Sequence, residues 1–312
     1  MKYMITTIVM GSPGFIEIDE AECQRIKTAI ANLFELLFFE EKLDLVTENF
    51  QEYEAELLLI ASHEMVFHDS DYFSMSNERN TVSRRIVNLL SACLMYEDQS
   101  AHHFNNIYGR NSDESKMLKE EIDSQKDHNF GFRAMKALRN YTQHRGFPIH
   151  SMKFSGEWLD IENKETSRLL YTVIPLIKVS ELAEDGKFNK SVLDEMLSID
   201  GKDGIDIRPL VRDYIEGIGE IHEKIRDSIR PDVEQWEGVV SDVIKKYQKE
   251  FGSDASIAGL AIVAEDDDGH WVEKRTIFME FIEKRKALEN KNRVFVNLHK
   301  RYASNEIRKK EA

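Results

Sequence analysis

Cysteine is almost missing: Cys23 and Cys93 are the only two in 312 residues. That excludes a disulfide-stapled scaffold, and each thiol lies in a helix-like amphipathic stretch, as expected of a buried, reduced residue. Proline (5) and glycine (15) are scarce, which argues against a loop-rich or all-β chain and for long helices. No apolar run approaches the ~20 residues of a membrane span; the clusters Leu36 to Phe39 and Leu57 to Ile60 are bounded by glutamates. The opening MKYMITTIVMGS has one Lys and a short apolar run broken by two threonines, so it reads as a strand rather than a signal peptide. A cytoplasmic protein with no membrane partner is expected. Positive charge is also short, with 42 Lys and Arg against 57 Asp and Glu and a net charge of −15. Such a body repels polyanions at long range, so any nucleic-acid role needs a local basic site.

What is present is helical periodicity. Acidic Asp19, Glu20 and Glu22 suit a helix start, and Ile26, Ile30, Leu33, Phe34 and Leu37 follow at helical spacing, continuing irregularly to Leu57 as one or two long helices. Another helix is expected after the cap-like SMSNERN, with Val82, Ile86, Leu89, Leu90, Cys93 and Leu94 on one face. Asn80, Arg84 and Asn88 form a polar ladder spaced by fours on the same helix, either a solvated face or the lining of a site. A polar segment from Asn105 to Asp127 comes next. It precedes a helix with Phe132, Met135, Leu138 and Tyr141 that stops at Gly146 and Pro148.

Beyond SGEW the texture changes. LLYTVIPLIKVSEL is β-branched and reads as a strand or extended connector. Helices return from Arg208 to Ile229, and Pro231 suits the first turn of a following helix with Val233, Trp236, Val240, Val243 and Tyr247. SIAGLAIVAEDDDGHW reads as a strand and an acidic turn, and the tail from Glu273 as a basic helix. The expected fold is mainly α: a helical bundle over residues 1–155, then a helical C-terminal extension over 156–312 with a few short strands.

Chemistry concentrates in ALRNYTQHRGFPIH, residues 137–150. Asn140 and His144 are four apart and share a helical face. Arg139 and His144 are five apart, roughly 140° around the helix, so they converge only through Arg's reach, a break at the helix end, or a second copy of the chain. Arg145 and His150 repeat the spacing, but a Gly and a Pro between them exclude a helical turn. From Gly131 to Lys153 the sequence holds Arg133, Lys136, Arg139, Arg145 and Lys153 with no Asp or Glu. This is the local basic site that the composition demands.

At these residues the chain resembles HEPN domains, in which an Arg and a polar residue precede a His by four to six intervening residues; Arg139, Asn140 and His144 match with four. SRRIVNLLSACLMYEDQ is similar to the preceding helix of uncharacterised bacterial relatives. The resemblance covers about the first half of the chain. It implies a helical bundle and a metal-independent endoribonuclease with no cofactor, in which the substrate's 2′-hydroxyl attacks phosphorus and leaves a 2′,3′-cyclic phosphate. His144 would be the general base or acid, Arg139 would stabilise phosphate charge, and Asn140 would orient His144 or a phosphate oxygen. Asn80, Arg84, Asn88, Arg133, Lys136 and Arg145 are the candidate RNA contacts. The resemblance also implies a homodimer that brings two motifs together, and an antitoxin or regulatory protein as partner in a toxin–antitoxin or phage-defence setting. Two alternatives stay open: a non-catalytic HEPN scaffold that binds RNA, a nucleotide or a protein, and a structural helical protein in which RNYTQH is a capped helix end.

Other signals carry less. His63, His68, His102 and His103 suggest a metal, but HEMVFH has four residues between its His, not three. EDDDGHWVEK fails as a calcium loop, because Ala264 and Arg275 fall at its first and twelfth positions, and an acidic hairpin turn is expected. The basic runs EKRKALENKNR and IRKK read as solvated helix faces or RNA contacts.

Overall fold

The computed structural model describes residues 1–9, 12–67, 71–199, 201, 203–293 and 297–304. His68 and the IRKK run at 307–310 lie outside them. The elements in chain order are β1 (Lys2–Thr7), β2 (Phe15–Ile18), α1 (Glu20–Phe67), α2 (Tyr72–Tyr108), α3 (Asp113–His128), α4 (Phe130–His144), β3 (Ser151–Trp158), β4 (Leu169–Ile177), α5 (Val179–Ala183), α6 (Lys190–Ile199), β5 (Ile205–Asp206), α7 (Ile207–Phe251), β6 (Leu260–Glu265), β7 (Trp271–Thr276) and α8 (Glu280–Lys291), with a final 3₁₀ turn at Leu298–Lys300. The protein is mainly helical with a few short strands. No described helix is long and apolar enough to cross a membrane.

Two compact units emerge. The first comprises Met1–Lys42, Asp98–Leu118 and Glu223–Arg293, the second Leu43–Glu97, Lys119–His222 and Val294–Ala312. Both draw on sequence from either side of Ser155. In the first, an antiparallel sheet runs in the order β2-β1-β6-β7, with Ile5 opposite both Ile16 and Ile262. The small and β-branched residues of β6, Leu260 to Ala264, are all buried. Ile26, Ile30, Leu33, Phe39, Phe104 and Tyr247 are buried in the same unit, and Glu40 forms an ion pair with Arg226 with both side chains largely out of water.

The second unit combines helical segments with a β3-β4-β5 sheet. Its α4 meets α7 at two glycines. A Cβ on Gly131 would lie 2.5 Å from Asp213 Cβ and 2.9 Å from the Leu210 carbonyl oxygen, and one on Gly217 would lie 2.7 Å from Gln125 Oε1. At Gly131 the obstacle includes α7 backbone, so only glycine lets the two helices come this close; at Gly217 it is side chains alone, the nearest being the Gln125 tip from α3.

Several expected boundaries move. SMSNERN lies inside α2, which starts at Tyr72 because the Asp71 carboxylate accepts the Ser74 N–H at 2.7 Å. Part of the polar segment is α3, whose first turn is capped by Ser112 Oγ accepting the Ser115 N–H at 3.1 Å. Pro231 does not start a new helix: α7 runs through it. Its ring is exposed, so the missing N–H falls on the solvent side, where a helix tolerates a weakened ladder. Residues 273–276 belong to β7, and the tail becomes helical only at Glu280. The acidic stretch is a hairpin turn between β6 and β7.

Candidate functional site

Helix α4 has a defined start. Asn129 caps it, its side-chain oxygen accepting the Phe132 N–H at 3.0 Å, while its amide nitrogen donates to the Asp213 carbonyl at 2.9 Å. Phe132, Ala134, Met135, Ala137 and Leu138 are buried. Arg133, Lys136, Asn140 and His144, spaced by threes and fours, lie along one side of the helix and line a cleft of about 990 Å³. The opposite wall comes from the α5–α6 connection and the start of α6: Asp185, Lys187, Phe188, Asn189 and Val192.

Asn140 and His144 are both exposed there. His144 is the last residue of α4, and the helix closes with the Arg145 N–H on the Tyr141 carbonyl. Arg139 is not among the cleft residues. It is half-buried and its Nη1 donates to Asn140 Oδ1 at 3.0 Å. That bond occupies the acceptor end of the amide, so the Asn140 NH₂ is the end left to donate. Arg139 Nε is buried without a hydrogen bond.

The cations of the basic stretch find carboxylates elsewhere in the sequence. Arg133 caps the end of α3, donating to the Lys126 and Asp127 carbonyls at 3.0 and 2.9 Å, and pairs with Glu195 at 2.7 Å. Lys136 pairs with Glu97 and sits 5.6 Å from the Phe132 ring centre. Arg145 forms an ion contact with Asp185 that lacks hydrogen-bond alignment. Lys153 pairs with Asp203 at 3.0 Å. Lys126, which the sequence reading did not single out, also lines the cleft and pairs with Asp123 at 2.7 Å. Hydrogen bonding to Lys126 holds the Asp123 carboxyl below its usual range. Lys187 is the one cleft cation without a carboxylate partner among the described residues. The site is thus lined by cations, most of them paired with carboxylates.

Two aromatics of the cleft were not anticipated. Tyr141 and Phe188 meet edge to face, 6.3 Å between centroids at 72°. Burial, followed by the nearby Glu181, Asp185 and Glu184 carboxylates, pushes the Tyr141 phenol up. Tyr141 could have been suspected from its place beside Asn140; no local signal marks Phe188. Behind Tyr141, His150 Nδ1 accepts the Lys178 N–H at 3.0 Å.

Asn80, Arg84 and Asn88 are exposed on α2, and none of them lines the cleft. A cavity of about 190 Å³ in the first unit is lined by Arg226 and Arg285, whose partners are Glu40, Glu237 and Glu289. His103 Nδ1 meets Glu35 Oε2 at 2.6 Å, and His102 meets Asn106. Among the described residues, Asp266, Asp268 and His270 bring ligand-type atoms together. Asp266 Oδ1 there accepts the Asp268 and His270 N–H groups at 3.0 and 2.8 Å, which shapes the hairpin turn. No family model, curated protein or solved structure matches the chain.

Proposed function

We propose that this protein is a metal-independent endoribonuclease of the HEPN type, acting at the cleft beside α4. One observation carries the reading: His144 and Asn140 are exposed together on the cleft side of α4, within a lining that includes five cations. Histidine is the side chain most often used for proton transfer near neutral pH. His144 takes the proton of the substrate's 2′-hydroxyl as O2′ bonds to phosphorus. The P–O5′ bond breaks and O5′ gains a proton from solvent, leaving a 2′,3′-cyclic phosphate. The Asn140 NH₂ donates to a phosphate oxygen, and Lys187 attracts the strand. Arg139 acts through Asn140, as a positioning residue. The metal-independence comes from the motif resemblance, as does an antitoxin or regulatory partner.

A second reading rests on the paired cations. If Glu97, Glu195 and Asp185 keep their partners, the cleft binds a phosphate-bearing or protein ligand without cutting, as a scaffold. The deciding experiment is cleavage of labelled RNA with EDTA present, comparing wild type with His144→Ala. Cutting by the wild type that leaves a cyclic phosphate, with a loss of at least about 100-fold in the variant, supports the nuclease. Binding without cutting turns the reading to the scaffold, and equal cutting by both proteins removes His144 from the chemistry.

A further inference from the structure

The cleft wall opposite α4 lies beyond the part of the chain that resembles HEPN domains, and it has chemistry of its own. Lys187, Phe188 and Asn189, the last three residues before α6, all line the cleft. Both ends of this ledge are held. On one side the Asp185 side chain is 6% exposed and in ion contact with Arg145. Gly186 then turns the chain at φ +60°, a backbone state that glycine enters without strain. On the other side Asn189 Oδ1 accepts the Val192 N–H at 3.2 Å and the Ser191 hydroxyl at 2.9 Å, closing the first turn of α6. The Asn189 NH₂ is the end left to donate. Lys187 is exposed, so the ledge presents a cation, a ring and an amide donor in consecutive residues.

The ring is open to stacking. Phe188 is half-buried, and its edge-to-face contact with Tyr141 covers at most one of the four faces of the two rings, since one ring meets the other with its edge. Tyr141 is the more engaged of the pair. His150 meets it in a second edge-to-face contact, at 6.0 Å and 72°. Its hydroxyl also lies against Gly146, where a Cβ would come within 3.3 Å of it. The exposed Glu181 and Glu184 carboxylates act on the Tyr141 phenol as well. Phe188 meets no other ring among the described residues. Tyr141 thus braces Phe188, and Phe188 is the ring left for a guest.

A single strand of RNA carries a stackable base and a charged phosphate in every nucleotide, whereas a duplex keeps its base faces inside the stack. The cleft, at about 990 Å³, is at the upper end of the ~300–1,000 Å³ of small-ligand sites, room for a short run of nucleotides. We infer that Lys187, Phe188 and Asn189 form a nucleotide subsite in which Phe188 stacks on one base of a single-stranded RNA. Lys187 meets the adjacent phosphate, and the Asn189 NH₂ donates to an acceptor on the base edge. The subsite rests on the reading of the cleft as an RNA site, but not on its cutting. It faces His144 and Asn140 across the cleft, so the stacked base belongs to a nucleotide flanking the phosphate held at α4.

The test is binding of two labelled 2′-O-methyl oligonucleotides, followed by anisotropy at 50 mM salt and pH 7.5. One carries its bases and the other is abasic throughout. Wild type, Phe188→Leu and Phe188→Tyr are compared. Phe188→Leu should weaken binding of the first strand about 5- to 100-fold, and Phe188→Tyr, which keeps a ring, by less than about 3-fold. All three proteins should bind the abasic strand equally, because its contacts are to the backbone alone. A Phe188→Leu protein that binds the full strand like wild type overturns the inference. So does one that loses both strands alike, since the ring would then only hold the wall in place, and so does a wild type that binds neither. Cleavage of unmodified RNA by wild type and His144→Ala, run alongside, separates the two readings. Phe188-dependent binding without cutting supports the subsite and removes the nuclease. His144-dependent cutting with Phe188-independent binding keeps the nuclease and overturns the subsite.

Discussion

His150 accepts the Lys178 N–H through Nδ1 and lies 3.5 Å from the Tyr141 hydroxyl through Nε2, while its own carbonyl receives Arg79. Burial holds its value below the ordinary 6.5, Lys178 and Arg79 act in the same direction, and Glu181 opposes them. A proton would have to displace the Lys178 N–H from Nδ1. The unfolded chain therefore takes up this proton at a higher pH than the native one. Stability is unaffected above the unfolded value and falls as pH drops below about 6.5 towards the lowered native value. His150→Asn retains an acceptor for Lys178 but cannot titrate. Urea midpoints should fall more between pH 7 and 5 for wild type than for this variant; parallel curves would show that His150 is not held neutral. In sequence, His150 reads only as the far end of a false repeat, Arg145 to His150. Its environment depends on Lys178 and Arg79, 28 and 71 residues away, which no local spacing reveals.

At the scale of elements, the crossing of α4 and α7 makes the sharpest prediction. Replacing an exposed glycine in a helix by alanine normally stabilises by about 1 kcal/mol. At Gly131 the new methyl would meet Asp213 Cβ and the Leu210 carbonyl, one of them backbone that cannot swing aside. Gly131→Ala should therefore destabilise by about 1–3 kcal/mol, read from urea unfolding at pH 7. A neutral or stabilised variant would mean that the helices are further apart. The period of these helices was legible: Phe132, Met135 and Leu138 are buried, as are Leu210, Tyr214, Ile218, Ile221 and Ile225. That apolar row continues through Ile229 and Val233, so the pattern itself crosses Pro231, and only proline's local habit argued for a break. In SMKFSGEW, Met152, Phe154 and Trp158 alternate with Ser151, Lys153, Ser155 and Glu157. This strand signal is present but short, and it stands out only once β4 pairs with it.

For the whole molecule the question is how a chain with net charge −15 could hold a polyanion. The stretch from Gly131 to Lys153 lacks acids, yet Arg133, Lys136 and Lys153 pair with Glu195, Glu97 and Asp203, respectively 62, 39 and 50 residues away. Linear charge counting sees the cations and misses partners that the fold delivers. Each phosphate contact on a single strand contributes a slope of about −0.7 to log K against log salt. Five free cations would give about −3.5, whereas Lys187 with at most one displaced pair gives about −0.7 to −1.4. Anisotropy of a labelled 2′-O-methyl oligonucleotide, which cannot be cut through its 2′ oxygen, should show the shallow slope between 50 and 200 mM salt. Glu195 is 43% exposed, so Glu195→Gln should leave the Arg133 charge without its carboxylate and unfold nothing, while Nη1 stays on the Lys126 and Asp127 carbonyls. It should tighten binding and steepen the slope by about 0.7. A wild-type slope near −3.5 would mean that RNA displaces every carboxylate from the cleft. Failure to bind at 50 mM would remove RNA as the ligand and leave the neutralised cleft to a protein partner.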